Sequence, residues 1–339
     1  MGKLSNLKKK LIKNDHIVGL ANPDQWASLG NHALNYVCTG SFTKGIPNRR
    51  TVMFAGESGT GKSFLMANAA KNIQMLGYKI IYIDTEFGLD EDYLVKIGVD
   101  IEDEEKFICI QAQTLEEVSE LISEIFNEFD KEEKIALFID SLGMLDTEDR
   151  NESFDKDGSM KNDMGIVAKK TKFLMKSLNR NVGLRDMFCI VNQHVYQNQD
   201  ITNGEGTHVL SGGTAQIYIP SISLMMKKFN LKEGKDIVGV KMKISAKKTR
   251  FYKLGTTITL EVPWKGGIDP YDGVLDLFVT EGVVNKNGAW YSFEDDDGKE
   301  IKFQRSKFSE YAGALIDAYD LEEDEIEEDE DDSVDSEKE

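Results

Sequence analysis

The sequence predicts an α/β fold in which helices flank both faces of a mainly parallel sheet. From residue 51 onward, short β-rich runs alternate with amphipathic helical patterns, and this order is typical of an open parallel sheet. Two runs, KIALFIDS and MFCIVNQ, are almost continuously apolar, as in strands that are buried on both faces. A third observation is the motif G-x-x-x-x-G-K-[ST] at residues 56–63, between a predicted strand and a predicted helix. Ligands of such sheets bind at the carboxyl ends of the strands.

The predicted elements follow one another regularly along the chain. TVMFAG is a strand, SFLMANAAKNIQML is the helix after the motif, and KIIYIDTE and FICIQA are the next two strands. Thr114 and Glu117 have the spacing of a helix-capping box. The apolar residues of the helix that follows recur at helical spacing: Leu115, Val118, Leu121, Ile122, Ile125 and Phe129. After residue 220 the strands SISLMMKKF, VGVKMKISAKK and TITLEVPW follow without long helices, so we expect an antiparallel extension of the same sheet.

Two segments, residues 144–163 and 194–213, have no regular pattern. Both directly follow apolar strands, so both are expected on the ligand side of the sheet. Long irregular loops inside a compact domain are uncommon unless they bind something or move. The alternative interpretation is that both segments are surface loops without a binding role.

The net charge of −19 is unevenly distributed. Residues 321–339 contain thirteen Asp or Glu and one Lys, a net charge of −12, so −7 remains on the other 320 residues. Such a like-charge block is predicted to be disordered. It serves either as a solubility tail or as a competitor of DNA phosphates for a basic groove.

Composition predicts a globular cytoplasmic protein. The three cysteines stand far apart without a C-x-x-C pair, which indicates neither a disulfide framework nor a zinc site. No apolar run reaches the ~18 residues of a membrane span, and the N-terminus lacks the apolar core of a signal peptide. The opening KLSNLKKKLIK is basic with leucines at helical spacing, which predicts a short helix docked on protein, with a membrane-surface helix as the alternative.

The motif and two strand-end carboxylates carry the chemistry that the sequence suggests. The glycines turn backbone N–H groups inward, Lys62 supplies a charge for the β and γ phosphates of ATP, and Ser63 can ligate Mg²⁺. Asp140 ends ALFID and suits the Mg²⁺ shell, while Glu86 ends IYIDTE and suits the base that orients an attacking water. Either carboxylate could instead cap a helix. The expected nucleotide-binding residues of the motif are Gly56, Glu57, Ser58, Gly59, Thr60, Gly61, Lys62 and Ser63.

A basic cluster lies in SAKKTR, at Lys247, Lys248 and Arg250. It is either a solvated face or an arginine-finger element that reaches the γ-phosphate of a neighbouring subunit, which requires an assembly.

Together these residues resemble the RecA family of homologous recombinases, and most closely its UvsX-type phage branch. The resemblance runs from about Leu29 to Tyr291. It rests on the segments GESGTGKS, YIDTEFGLDEDYLVKIGVD, LFIDSLGML, CIVNQ, SGGTAQIY and GGIDPYDGVLDLFVTEGVVNKNGAWYSF. The resemblance implies a RecA-type P-loop ATPase core that polymerises head to tail on single-stranded DNA, with ATP held between subunits.

The resemblance also assigns roles by position. Glu86 corresponds to the catalytic glutamate and Asp140 to the Walker B aspartate. Lys248 and Arg250 match the cationic pair that acts across the subunit interface. Asp90 and Tyr93 match positions that recognise and stack on adenine, and Tyr271 resembles another nucleotide-contacting tyrosine.

The irregular segments resemble the two DNA-binding loops of the family. In the first, 144–163, Lys156 and Lys161 are the evident cations, although the segment is otherwise acidic. In the second, 194–213, the pair Gly212 and Gly213 would let the backbone approach DNA closely. Gln193 resembles the residue that senses the γ-phosphate, but NQHVY has one residue more than the phage pattern, so His194 is the alternative sensor.

The implied activity is that of a Mg²⁺-dependent, single-stranded-DNA-dependent ATPase that pairs and exchanges homologous DNA strands in recombination and repair. The expected partners are single-stranded DNA, homologous duplex, further copies of the chain, a mediator and a single-stranded-DNA-binding protein, and no membrane is expected among them. The expected location is the cytoplasm of a bacterium or of a phage-infected cell. A RecA-fold replicative helicase and a non-exchanging mediator are the alternatives. We expect an N-terminal segment (1–26), the ATPase core (27–291), a small C-terminal region (292–320) and the acidic tail (321–339).

Overall fold

A mainly parallel sheet forms the centre of the computed structural model, which describes residues 2–13, 21–157, 164–197, 208–210, 214–295 and 297–321. A two-stranded ribbon of β1 (Trp26–Ala27) and β2 (Ile46–Pro47) precedes it. The strands of the large sheet are β3 (Thr51–Gly56), β4 (Lys79–Asp84), β5 (Phe107–Gln111), β6 (Ile135–Asp140), β7 (Met187–Gln197), β8 (His208–Leu210), β9 (Ile222–Glu233), β10 (Asp236–Lys248) and β11 (Thr257–Pro263).

The helices are distributed along the whole described chain. They are α1 (Lys3–Lys13), α2 (His32–Thr39), α3 (Lys62–Met75), α4 (Glu91–Ile97), α5 (Leu115–Glu128), α6 (Glu148–Asp157), α7 (Met164–Val182) and α8 (Val274–Glu281). Residues 312–321 form a last helix. In the described part of the chain, no helix combines the length and the apolar character that crossing a membrane demands.

The sheet has the order β11-β10-β9-β3-β7-β6-β4-β5, with β8 paired to β7. Strands β9, β3, β7, β6, β4 and β5 are parallel to one another, whereas β10 and β11 add to β9 in antiparallel fashion. Both the predicted mainly parallel sheet and its antiparallel extension are confirmed. The C-terminal ends of β3, β4, β6 and β7 meet along one side, which we call the carboxyl edge.

Each face of the sheet supports its own hydrophobic core, because successive side chains of a strand point to opposite faces. In β3, Val52 and Phe54 pack with α2, α3 and α8. Met53 and Ala55 pack with α5 and α7 on the other side. The continuous apolar runs of the sequence therefore reflect burial on both faces, as predicted.

Helix α5 begins at the predicted capping box. Thr114 Oγ1 accepts a hydrogen bond from the Glu117 N–H at 3.1 Å, and the Glu117 carboxylate accepts one from the Thr114 N–H at 3.2 Å. Such a cap stabilises a helix by about 1 kcal/mol. The helix then turns its apolar stripe, which includes Val118 and Ile122, onto the sheet.

The prediction of irregular structure at 144–163 is wrong for α6. This helix lacks an apolar stripe, so periodicity could not reveal it. Its first turn is favoured because Glu148 and Asp149 lie at the positive end of the helix dipole. Arg150 also pairs with Asp146 at 2.9 Å. The prediction for 194–213 is likewise wrong at its two described parts, because β7 continues to Gln197 and pairs with β8.

A small antiparallel sheet of β12 (Asn285–Asn287), β13 (Trp290–Glu294) and β14 (Glu300–Gln304) follows α8. Its buried Tyr291 and Phe303 belong to the same hydrophobic cluster as Phe278 of α8. In the last helix, the Asp320 carboxylate accepts hydrogen bonds from the backbone N–H groups of residues 42 and 43, both at 3.0 Å. The expected boundary near residue 291 falls inside β13, and the domain division stays a prediction. Residues 322–339 of the acidic tail lie outside the described residues.

Candidate nucleotide-binding site

The phosphate-binding motif forms the loop between β3 and α3, the context that its chemistry requires. Gly59 and Gly61 have φ angles of +71° and +92°, a left-handed conformation that side chains with a Cβ rarely adopt. The Thr60 hydroxyl donates to the Glu57 carbonyl at 2.9 Å and closes the turn. The loop therefore leads into the N-terminus of α3, where free N–H groups favour anions.

Lys62 is buried beneath this loop. Its ammonium donates to the carbonyls of Gly56 and Glu57 at 3.1 and 3.0 Å. Burial lowers the pKa of Lys62, and the nearby carboxylates of Asp140 and Glu86 oppose that effect. Buried carbonyls thus hold this cation in a position from which it could meet a phosphate.

Asp140 ends β6 and accepts hydrogen bonds from three side chains at the carboxyl edge. Its Oδ2 accepts hydrogen bonds from the Ser63 hydroxyl at 2.7 Å and from the Tyr82 hydroxyl at 2.9 Å. Its Oδ1 accepts one from the Asn192 amide at 2.7 Å. The predicted pair of Mg²⁺ ligands, Ser63 and Asp140, is therefore in direct contact, and strands β4 and β7 supply the groups that orient the carboxylate.

Glu86 lies just beyond the end of β4. Asp84 accepts the Glu86 N–H at 3.0 Å and the Leu89 N–H at 3.1 Å, which shapes the turn that carries Glu86. The Glu86 carboxylate contacts His194 Nε2 at 2.7 Å. This hydrogen bond is the main cause that lowers the pKa of Glu86. A carboxylate only accepts, so Nε2 must carry a proton.

Gln193 and His194 are neighbours in β7, and their side chains make different contacts. His194 contacts Glu86, whereas the fully buried Gln193 donates from Nε2 to Gln216 Oε1 at 2.7 Å. Gln216 lies in a 3₁₀ turn, Thr214–Tyr218, on the C-terminal side of the second predicted DNA loop. The histidine is thus tied to the expected catalytic glutamate, and the glutamine to the end of that loop.

The three residues expected to contact the nucleotide lie in two places, with Asp90 and Tyr93 at the start of α4 and Tyr271 shortly before α8. Asp90 caps α4, because its carboxylate accepts the Tyr93 N–H at 2.8 Å. Burial, with a smaller contribution from Asp140, raises the pKa of Tyr93 to about 12. Tyr271 stacks on His32, with ring centroids 5.4 Å apart. Asp90 is therefore engaged as the N-cap of α4.

Lys248 and Arg250 are not brought to the carboxyl edge. Lys248 is paired with Ser223 near the start of β9, several residues before the level of Gly56. Its ammonium donates to the carbonyls of Tyr218 and Pro220. Burial lowers the pKa of Lys248, and the positive charge of Arg250 adds to the effect. Within one chain these cations are distant from the phosphate loop.

Of the four residues expected to bind DNA, the structure describes only Lys156. It lies on α6 and is exposed. Lys161, Gly212 and Gly213 fall outside the described residues.

Three contacts of the site were missed by the sequence analysis. Asn192 ends an apolar run, as Asp140 and Glu86 do, so the same criterion could have identified it. Tyr82 is one aromatic residue inside a buried strand and carries no signal of its own. Lys228 of β9 donates to the Ser58 carbonyl at 3.0 Å, a contact that depends on which strand lies beside β3.

The donor set fits Mg²⁺ bound together with phosphates. Among the described residues no cluster of three or more acidic, His or Cys side chains could hold a metal ion. The carboxylate of Asp140 and the hydroxyl of Ser63 are hard oxygen donors in contact with each other. Mg²⁺ commonly takes one or two such ligands and completes its shell with water and substrate phosphates.

Comparisons with known proteins give a consistent result. The family model described as the RecA N-terminal domain matches residues 9–269. The recombination and repair protein of Enterobacteria phage T4 is 28% identical over 284 residues, which cover 80% of this chain and 69% of that protein. Protein RecA of Xanthomonas campestris pv. campestris (strain B100) is 26% identical over 255 residues, covering 74% and 71% of the two chains. Protein RecA of Streptomyces coelicolor is 26% identical over 260 residues, covering 76% and 67%.

Proposed function

Because the chain belongs to the RecA family, we propose that it is an ATP-dependent recombinase that forms filaments on single-stranded DNA. It pairs the bound strand with homologous duplex and exchanges strands, in recombination and repair. The similarity to a phage recombination and repair protein and to RecA proteins supports this activity. The proposal includes a cytoplasmic location, where the DNA substrates lie.

One observation carries the proposal: the chain holds most of an ATPase site, and the remaining cations lie elsewhere on it. Ser63 donates a hydrogen bond to Asp140, and Lys62 lies near the carboxylates of Asp140 and Glu86. In contrast, Lys248 is the last residue of β10, and Arg250 lies two residues beyond it. A site divided in this way is completed by a neighbouring subunit, as arginine-finger elements are. Head-to-tail contacts of this kind generate filaments or rings.

The roles within the site follow from charge and position. Lys62 neutralises the β and γ phosphates, and the N–H groups of the loop cradle them. Ser63 and Asp140 would hold Mg²⁺, which would supply charge neutralisation on the transferred phosphoryl group. Glu86 accepts a proton from the attacking water, and its lowered pKa keeps it ionised at neutral pH. Lys248 and Arg250 of the neighbour stabilise the charge that develops on the γ-phosphate.

The nucleotide base and the DNA have further candidate contacts. Tyr93 and Tyr271 offer aromatic faces for the base, and Asp90 offers a polar group at the start of α4. Lys156, together with Lys161, Gly212 and Gly213, is proposed to contact DNA. Binding is then largely sequence-independent and weakens with salt, because phosphate contacts dominate it.

The coupling of ATP to DNA is proposed to pass through β7. His194 contacts Glu86, while Gln193 contacts Gln216 beside the second loop. A γ-phosphate that shifts His194 alters the catalytic carboxylate, and one that shifts the adjacent Gln193 alters the loop. ATP binding then favours a DNA-bound state, and hydrolysis releases it.

The decisive experiment measures ATP hydrolysis by the purified chain with and without single-stranded DNA, beside negative-stain images of the same sample. We expect DNA-stimulated hydrolysis and open helical filaments. Closed rings would instead indicate a helicase. Normal ATP binding without any D-loop product would indicate a mediator.

The matched variant is Lys62→Ala. It removes the phosphate-binding charge, and we expect hydrolysis to fall by ~10²–10³-fold, as for the loss of one preorganised electrostatic group. Full DNA-stimulated hydrolysis by this variant would contradict the site assignment. Circular dichroism of the nucleotide-free variant controls for loss of fold.

A further inference from the structure

The strand β9 extends past the end of β3 and runs beside the phosphate loop. The parallel register between the two strands ends at the pair Gly56 and Met226. Beyond it, β3 turns into the loop, whereas β9 continues to Glu233. Lys228 therefore lies two residues past the last paired position, level with the loop.

Two cross-strand partners pack against glycines of the loop. Lys228 of β9 lies opposite Met242 of β10. A Cβ added at Gly59 would lie 2.7 Å from Lys228 Nζ, and one added at Gly61 would lie 2.5 Å from Met242 Sδ. Both distances are too short for ordinary contact, so the hairpin of β9 and β10 closes tightly on the loop.

The ammonium of Lys228 makes a specific contact here. It donates to the Ser58 carbonyl at 3.0 Å. The peptide between Ser58 and Gly59 is trans, so its C=O and N–H point in opposite directions. When Lys228 holds the carbonyl on the β9 side, the Gly59 N–H points away from β9. A hydrogen bond from a cation also polarises that peptide and strengthens its N–H as a donor.

The charge of Lys228 is also felt inside the site. The Lys62 ammonium donates to the Glu57 carbonyl at 3.0 Å, and the Lys228 ammonium donates to the next carbonyl, that of Ser58, at 3.0 Å. The two ammonium groups thus contact adjacent carbonyls of one loop on the same chain. Such proximity is unfavourable without an anion and becomes favourable when phosphates bind between or beside them.

We propose that Lys228 is a positioning residue of the nucleotide site, which orients the Ser58–Gly59 peptide toward a bound phosphate and adds a second positive charge from the same chain. The inference rests on the proposed ATP binding. It differs from the roles of Lys248 and Arg250, which act on a neighbour. Met242 supports the same loop from the adjacent strand by packing alone.

The test measures binding of Mg·ATP to the full-length chain without DNA, by calorimetry, for the wild type and four variants. Lys228→Met keeps the apolar stem and removes the charge, and we expect about tenfold weaker binding, typical of one lost charge-assisted hydrogen bond. Lys228→Arg restores a donor and should bind within about threefold of the wild type. Lys232→Met is the matched control, because Lys232 is exposed on the same strand and pairs with Ile237 away from the loop.

A second readout separates positioning from folding. Hydrogen exchange should show that ATP protects the amides of residues 58–60 in the wild type and less so in Lys228→Met. The unfolding midpoint of the nucleotide-free variant should match that of Lys232→Met. Equal ATP binding by Lys228→Met and the wild type would overturn the inference, as would equal losses in the Lys228 and Lys232 variants.

The fourth variant, Lys62→Ala, distinguishes this inference from the proposed function. If the wild type binds no ATP, the proposed function fails, and the inference fails with it. If the wild type binds ATP, Lys62→Ala does not, and Lys228→Met binds like the wild type, only the role of Lys228 is refuted.

Discussion

The carboxyl edge of the sheet and the far end of β10 both carry residues expected at the ATP site, but their side chains are engaged in different ways. At the carboxyl edge, Asp140 has three side-chain donors, from Ser63, Tyr82 and Asn192. At the far end of β10, Lys248 donates to the backbone carbonyls of Tyr218 and Pro220. The first region is thus organised by side chains of several strands, whereas the Lys248 ammonium is held by backbone oxygens.

The comparison is tested most strongly by mixing two inactive variants. Arg250→Ala should lower DNA-stimulated hydrolysis by ~10³-fold, the scale of an arginine finger, while ATP binding without DNA stays unchanged. Mixed with Lys62→Ala, it should recover activity, because a Lys62→Ala subunit supplies Arg250 to the intact loop of its neighbour. With equal amounts, about a quarter of head-to-tail contacts would be complete. A mixture as inactive as its components would show that Arg250 acts within its own chain.

A substitution of Asn192 tests whether side chains of the same chain organise the carboxyl edge. Asn192→Ala removes one of the groups that orient Asp140, and such changes typically reduce metal affinity by ~10–100-fold. We therefore expect hydrolysis to require more Mg²⁺, with little change at saturating Mg²⁺. Titration of activity with Mg²⁺ measures this. Unchanged Mg²⁺ dependence would mean that Ser63 and Tyr82 suffice to orient the carboxylate.

The contact between His194 and Glu86 predicts a pH effect. The hydrogen bond favours the carboxylate and lowers its pKa, so the ionised form persists to lower pH than in an isolated glutamate. His194→Ala should raise the pKa of Glu86, move the acidic limb of the pH–rate profile to higher pH and lower kcat about tenfold near that limb. His194→Gln keeps an N–H donor and should restore most of the activity. Identical pH–rate profiles for the wild type, His194→Ala and His194→Gln would show that His194 has no role in catalysis.

The same pair also contributes to stability, with a defined sign. A carboxyl whose pKa is lowered by folding stabilises the protein above its unfolded pKa, and the stabilisation is lost as pH falls through the folded pKa. The midpoint temperatures of thermal unfolding of the wild type and His194→Ala should therefore differ at neutral pH and become equal at acidic pH.

The smallest effect concerns the acidic tail. Residues 321–339 carry a net charge of −12. Deleting residues 322–339 keeps Asp320 and its backbone contacts intact. We expect duplex DNA affinity at moderate salt to rise about threefold, because fewer carboxylates compete with phosphates for basic groups. Equal affinities of the two proteins across a salt titration would reduce the tail to a solubility device.

Local patterns predicted much of this molecule. The alternation of apolar strands and helices gave the sheet and its parallel core, and Thr114 with Glu117 gave the start of α5. The loop motif and the strand-end carboxylates located most of the carboxyl edge. These features succeed because each depends on residues close together in sequence, or on the rule that parallel strands end at one side.

The contacts that escaped prediction depend on register between distant segments. Lys228 and Ser58 are 170 residues apart in the chain. They are in contact only because β9 pairs with β3 in parallel. Helix α6 escaped because its residues are mostly charged and no stripe marks its face. Asp90 illustrates a different limit, since one carboxylate at a helix start serves equally as a cap or as a ligand.

The separation of Lys248 and Arg250 from the phosphate loop has a consequence for the ends of an assembly. In a head-to-tail chain, one terminal subunit has a loop without a neighbour's cations, and the other terminal subunit has cations without a loop to serve. A dimer then has one complete site for two chains, whereas a long polymer approaches one site per chain. Turnover per subunit should rise with polymer length, and the two ends should differ in how readily they gain and lose subunits.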